Sequence, residues 1–204
     1  MYTKAKIFNL ALGALLLQRR IVEAETDPSN EAKVLLTHYD TAFRAALQDM
    51  DLDSTSSQKD LEKIEDEPND LWLFSYKYPN DCVFLRRIQS TVDTDSRATH
   101  IPKRVAMKDG VKVIFCNLEE AIAEYISKDV PLHSLSANAG LAIAYKLAIL
   151  AAPLVTGKGA KSLIEAIEKK YAVAKAEAKS HDRNENLNFE EESTISEFVH
   201  ARTT

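Results

Sequence analysis

Three aspartates at alternate positions, Asp49, Asp51 and Asp53, with Asp60 further along, have the spacing that opens a calcium-binding loop. Such a loop also needs a glycine at its sixth position for the sharp turn and a closing bidentate glutamate. Here Ser54 stands sixth and Asp60 closes, so a solvated acidic linker is the competing reading. Gly157-Lys158-Gly159-Ala160-Lys161-Ser162 has the composition of a phosphate loop, but the spacing is wrong and no strand is expected before it. The plain reading is a glycine break between two helices, and the alternative is an anion held at a helix N-terminus. The histidines are scattered. His38 falls beside an apolar stripe with no partner at helical spacing, which reads as a packed or solvated side chain. No Ser-His-Asp order, zinc spacing or paired carboxylates emerge, so the expectation is a non-enzyme without cofactor or metal.

Arg86-Arg87 and Lys103-Arg104 are the remaining charged groups of interest, as solvated or subunit-bridging charges near a sheet. Cys82 and Cys116 provide no disulfide framework and read as two buried thiols in a reducing compartment. The net charge of −5 argues against a dedicated nucleic-acid binder. Residues 4–17 mimic a signal peptide, but Gln18-Arg19-Arg20 stands where a small-residue cleavage site belongs. No run reads as long enough to span a bilayer, and no membrane partner is expected.

The elements that would position these groups are mostly helical. Ala5 to Arg19 reads as a largely buried helix. Asp27-Pro28-Ser29-Asn30-Glu31 starts a second, which runs to about Leu47 with Ala32, Leu35, Leu36, Tyr39, Phe43, Ala46 and Leu47 as its stripe. Residues 49–70 read as a long mobile acidic loop. Leu71 to Tyr78 alternates with a period of two and is rich in aromatic residues, which predicts a strand. Pro79-Asn80-Asp81 breaks it, and a second strand runs from Cys82 to Ile88. Residues 91–103 read as an irregular connection. Arg104 to Lys108, a turn at Asp109-Gly110 and the alternating Val111, Val113 and Phe115 make a hairpin. Leu118 to Lys128 fits either a helix or a strand, and propensity alone favours the helix.

A third helix starts at Ser134 or Ser136, with Leu141, Ala142, Tyr145, Ala148, Ile149 and Ala152 on one face and Pro153 and Gly157 at its end. A fourth starts near Lys161 or Ser162 and runs to about Ser180. Residues 181–204 are polar with isolated apolar points at Leu187, Phe189, Ile195, Phe198 and Val199, the composition of a tail that orders on a partner. The expected fold is α+β and mainly α: a four-helix bundle with a small antiparallel β subdomain inserted between helices 2 and 3, plus an extended C-terminal tail. The bundle takes residues 1–48 with 132–180, the β subdomain 71–130, the acidic loop 49–70 and the tail 181–204.

The order of several motifs resembles the portal-adaptor, or head-to-tail connector, family of tailed bacteriophages, also called the tail tubular protein A family. Ile7-Phe8-Asn9-Leu10-Ala11-Leu12 resembles its first helix, and Asn30-Glu31-Ala32 with Tyr39-Asp40, Ala42 and Ala45-Ala46-Leu47 its second. Tyr78-Pro79-Asn80-Asp81-Cys82 resembles its turn into an Arg-Arg strand. Leu141-Ala142, Tyr145-Lys146-Leu147-Ala148-Ile149 and Ala152-Pro153-Leu154-Val155-Thr156-Gly157 resemble its third helix and stop, and Tyr171 with the alanine-rich run its fourth. The acidic loop is longer than in the family, and Leu132-His133-Ser134 stands where a bulky aromatic residue is usual.

The resemblance implies a structural virion protein, assembled in the host cytoplasm and resident in the phage neck. It implies a homo-oligomeric ring of about twelve copies between the portal protein and a downstream nozzle or tail-tube protein, closed by heterologous contacts. DNA would pass through the channel without specific binding, which a mildly acidic lumen suits. Leu187, Phe189, Ile195, Phe198 and Val199 would dock on the portal, and Arg86, Arg87, Lys103 and Arg104 would serve channel or subunit contacts. The resemblance also tips Ala121–Ile126 towards a strand. The rival readings are a non-viral helical adaptor or chaperone that binds a partner helix, and an enzyme with a nonobvious site.

Overall fold

The computed structural model describes residues 1–90, 101–157 and 160–200. The chain divides into two compact units, one made of residues 1–54 and 130–204 and the other of residues 55–129.

The first unit holds four helices, α1 (Lys4–Ala14), α2 (Asn30–Met50), α3 (Ala137–Val155) and α4 (Ala160–His200). Each of the first three begins where a hydroxyl can take an orphan N–H. Thr3 accepts from Lys6, Ser29 from Ala32 and Ser136 from Ala139. Of the two serines proposed for α3, Ser136 is therefore the cap. Helix α1 stops five residues earlier than its apolar run suggests. The Leu16 N–H bonds the Gly13 carbonyl and the Leu17 N–H the Leu12 carbonyl, closing a Schellman end with Leu16 at φ 61°. Asn9 then holds the returning chain: its amide donates to the Ile21 carbonyl (2.7 Å) and its oxygen accepts the Ile21 N–H (2.8 Å).

Helix α3 is the centre of this unit and packs against α1, α2 and α4. Its buried residues are Ala139, Gly140, Ala142, Ile143, Ala144, Leu147, Ala148, Ala151 and Ala152, which surround the axis instead of forming the single face expected from the sequence. Leu141, Tyr145 and Ile149 are only half-buried. Pro153 does not end α3 but sits inside its last turn, before the end at Val155. By length and composition Ala137–Val155 is apolar enough to cross a membrane, a property the sequence reading missed, and half of it is buried among its neighbours. At Gly140 a Cβ would lie 2.3 Å from the Tyr2 ring, whose hydroxyl donates to the Ala137 carbonyl (2.7 Å). Asp49 joins three helices: it accepts from Lys146 of α3 (3.0 Å) and Tyr171 of α4 (2.8 Å).

The second unit carries strands β1 (Ser56–Asp60), β2 (Lys63–Asn69), β3 (Trp72–Lys77), β4 (Cys82–Ser90), β5 (Arg104–Lys108), β6 (Val111–Cys116) and β7 (Ala121–Ser127). They form two antiparallel sheets, ordered β1-β7-β4 and β2-β3-β6-β5. The aromatic strand β3 and its successor β4 are consecutive in sequence yet enter different sheets. The break at Pro79-Asn80-Asp81 permits this, because no tight two-residue turn forces them to pair. Tyr76, Leu85, Ile88, Ile114, Cys116, Ala121, Ala123 and Tyr125, drawn from both sheets, make one core. The β5–β6 hairpin forms as expected, with Lys108 opposite Val111 and left-handed Asp109 (φ 50°) and Gly110 (φ 79°) at the turn. The ambiguous segment after Leu118 is strand β7, because residues 121–127 find partners on both edges, β1 and β4. Tertiary pairing thus overrides the helical propensity of Glu119-Glu120-Ala121.

Three expectations are corrected. The four-helix bundle with a small inserted sheet is not what forms: four helices accompany seven strands in two sheets, the strands follow α2, and α3 and α4 are consecutive. Residues 49–70 are not a loop, since α2 runs to Met50, a 3-10 turn spans Asp53–Thr55, and β1 and β2 follow. Strand pairing uses backbone donors and acceptors, which acidic side chains do not remove, so composition misled here. The extended tail is also absent: α4 continues as helix to His200. Its alanine, lysine and glutamate favour a helix, and Ala174, Ala178 and Asp182 continue the buried face past the expected end at Ser180. The expected connection at 91–103 lies largely outside the described residues.

Gly140→Ala should force the Tyr2 ring off α3 and destabilise the protein by about 1–3 kcal/mol, the usual cost of overpacking. In a Tyr2→Ala background the same change should become stabilising, by up to about 1 kcal/mol from helix propensity. Urea denaturation of the four combinations reads both signs.

Candidate functional site

Strand β4 pairs with β7, and its register slips between Leu85 and Arg87. Side chains alternate along a regular strand, so neighbouring arginines would normally point to opposite faces. A slip of this kind re-aims a side chain. As a result both Arg86 and Arg87 reach one carboxylate, Glu124 of β7. The Arg87 Nε donates to it at 2.7 Å, Gln89 Nε2 donates at 2.6 Å, and Arg86 Nη1 lies 3.6 Å away. The Glu124 side chain is 8 % exposed, Arg86 12 % and Arg87 41 %. Lys103 Nζ donates to the Arg86 carbonyl (2.5 Å), and burial lowers the Lys103 pKa. Three of the four basic residues singled out in the sequence are therefore brought together. The fourth, Arg104, begins β5 in the other sheet and is exposed.

Among the described residues, the cluster sets Arg86 and Arg87 against the buried Glu124, with Lys103 on the Arg86 carbonyl. It can hold an anion or brace a surface, but it offers no nucleophile beside a base. Glu124 and Gln89 escaped the sequence reading. Glu124 carried a signal nonetheless: it interrupts the Ile122, Ile126 face of a strand, where a lone carboxylate needs a partner.

A second polar centre lies at the turn before β4. The Asp81 carboxylate accepts from Tyr125 (2.9 Å) and Ser127 (2.8 Å), and its carbonyl accepts the Lys128 N–H (2.8 Å). Burial pushes the Asp81 carboxyl up, but the two hydroxyls outweigh this and hold it below its ordinary value. Burial raises the Tyr125 pKa, and its bond to Asp81 adds to the shift. Cys82 is half-buried with its Sγ 3.1 Å from the Tyr78 hydroxyl, and Cys116 is buried; both thiols are raised first of all by burial.

The other sequence candidates are dispersed. Asp49 lies in α2 bonded to Lys146 and Tyr171, Asp51 is the left-handed cap of that helix, and Asp60 ends β1, so the calcium-like spacing does not wrap a common centre. Among the described residues no group of three or more His, Cys, Asp and Glu is placed to hold a metal. Gly157 ends α3 at φ 68°, while Lys158 and Gly159 lie outside the described residues. His38 is half-buried on α2. Leu187, Phe189, Ile195, Phe198 and Val199 fall on α4, with their side chains outside the described set. One functional-looking contact had no sequence signal at all: Asp182 of α4, 7 % exposed, accepts the N–H groups of Asp53 (2.6 Å) and Ser54 (3.0 Å).

Comparison of the chain with protein-family models gives no match, and comparison with curated proteins gives none either.

Glu124→Ala should leave two arginines facing each other without their anion and destabilise the protein by about 3 kcal/mol, read by urea denaturation. Acid sensitivity follows from Asp81 and Asp49, the latter also depressed because its hydrogen bonds outweigh the upward push of burial. A carboxyl depressed in the folded state binds its proton more readily once unfolded. Its stabilisation is therefore complete above the unfolded value of about 4 and is lost as pH falls through the lower folded value. Asp81→Asn should flatten that acid limb of the stability curve, measured as melting temperature against pH.

Proposed function

We propose that this protein is a portal adaptor of a tailed bacteriophage. It forms a closed homo-oligomeric ring of about twelve copies, set between the portal and a downstream nozzle or tail-tube protein. The motif order carries the resemblance, and one structural observation supports it most directly: the long C-terminal helix α4. This helix runs from Ala160 to His200. At helical spacing Leu187, Ile195, Phe198 and Val199 fall on one side, with Phe189 off it. A long helix whose sequence carries an apolar row suits docking in a groove of a partner. In this reading the partner is the portal, and Phe198 is the principal anchor.

The strand unit would extend the channel and meet the tail protein, with Arg86, Arg87 and Lys103 bracing subunit or channel contacts. A net charge of −5 suits a ring through which DNA slides without being held. Assembly would take place in the host cytoplasm and the protein would end in the virion neck.

Mixing the purified protein with portal rings should yield an added ring in electron micrographs, and the protein alone should associate only weakly. Removing residues 185–204 should leave the melting temperature nearly unchanged and abolish portal capture in a pull-down. A stable tight dimer with buried C-terminal helices, or full portal capture by the truncated chain, would overturn the assignment.

A further inference from the structure

Helix α1 and the chain that returns beside it enclose an open groove of about 560 Å³. Lys6, Asn9 and Leu10 line it from the helix, and Arg19, Arg20 and Val22 from the returning chain. Its lining contains three cations and no carboxylate. Arg19 is only loosely engaged, 3.8 Å from Asp27 and 3.7 Å from Glu31. Arg20 is exposed and forms no ion pair among the described residues.

Two apolar residues of this unit are unusual, Val22 in the groove lining and Leu16 outside it. Val22 is 80 % exposed, and Leu16, at the end of α1, is 78 % exposed. Leu16 also occupies the left-handed position of the helix end, φ 61°, where glycine or asparagine is the ordinary choice. A leucine is held there against its backbone preference and gains no burial within the described residues. That combination points to a surface that is covered by something else.

The chain itself contains a segment of matching chemistry. Strands β2 and β3 form an antiparallel hairpin, and β2 is an edge of its sheet. Between residues 62 and 73 the sequence places Glu62, Glu65, Asp66, Glu67 and Asp70 against the single base Lys63. Ile64, Leu71 and Leu73 of this hairpin are 46 %, 73 % and 49 % exposed. An acidic segment with displayed aliphatic side chains is the counterpart of a basic groove lined by Leu10 and Val22.

We propose that the α1 groove of one copy receives the β2–β3 hairpin of a second copy. Groove and hairpin are different surfaces, so the contact is heterologous and leaves one copy with an unused hairpin and the other with an unused groove. Such a contact repeats until it closes. It deepens the ring reading and rests on it only for closure; the contact between two copies stands by itself.

A complementary charge reversal tests it. One variant carries Arg19→Glu and Arg20→Glu, the other Glu65→Lys and Asp66→Lys, and circular dichroism checks that both fold. By sedimentation, the wild-type chain should associate with rising concentration, less so in high salt. Each variant alone should lose about tenfold or more in apparent association. An equimolar mixture should regain it, because the reversed groove meets the reversed hairpin while the two unaltered surfaces still match. Should the groove variant fail to fold, the single exposed change Arg20→Glu replaces it.

A wild-type chain that stays monomeric to its solubility limit overturns the proposal, as does a variant that associates like the wild type or a mixture that regains nothing. The outcomes separate the two readings. Normal rings on a portal from the groove variant would remove this contact and leave the adaptor function. Self-association through the contact with no portal capture would do the reverse.

Discussion

Close approach of helix backbones to α3 is the constraint on which the helical unit depends. Alanine and glycine at 139, 140, 142, 144, 148, 151 and 152 leave room for α1, α2 and α4 to pack around one helix. The same small side chains bury little area each, so the unit gains stability from the number of contacts and from polar ties between helices. Asp49, shared by Lys146 and Tyr171, is one tie across α2, α3 and α4. Asp182, which takes the N–H groups of Asp53 and Ser54, fixes the exit of α2 against α4. Tyr2 lying over Gly140 closes the packing at the other end of α3.

The strand unit solves a different problem. Its two sheets share an apolar core, but its polar groups are arranged by irregularities of the strands. A register slip in β4 turns two adjacent arginines onto Glu124, and the turn at Asp81 is held by hydroxyls from β7. Both devices converge on β7, the central strand of its sheet. An anion on a central strand is acceptable only because donors saturate it, and Arg87 with Gln89 does this for Glu124. The proposed role in a ring draws on this division of labour. The helical unit supplies the long α4 that would reach a partner, while the strand unit presents cations and an acidic hairpin on a braced scaffold.

Much of this was legible from local chemistry. The segment Asp27-Pro28-Ser29-Asn30-Glu31 and the pair Ser134 and Ser136 announce helix starts, Asp109-Gly110 announces a hairpin, and the alternating aromatic run announces β3, because each depends on bonds and sterics within a few residues. The acidic stretch 49–70 was not legible, since its strands are stabilised by backbone partners distant in sequence, such as β7 for β1 and β3 for β2. The end of α1 was missed for a similar reason: Asn9 captures Ile21, and a leucine accepts a left-handed conformation that its own preference opposes. The basic cluster was half legible. Arg86, Arg87 and Lys103 stood out as charges, but the carboxylate that gathers the arginines did not.

By itself the sequence determined the helix starts, the turns and the residues able to form strands, because these follow from side-chain caps, backbone preferences and periodicity. Only the tertiary structure decided that adjacent strands β3 and β4 enter different sheets, that residues 121–127 are a strand and not a helix, and that α3 is buried around its axis. Only it decided that Arg86, Arg87 and Gln89 meet Glu124. These outcomes depend on which partners become available when distant segments pack, and the free energy of pairing two strands or filling a core belongs to both segments at once.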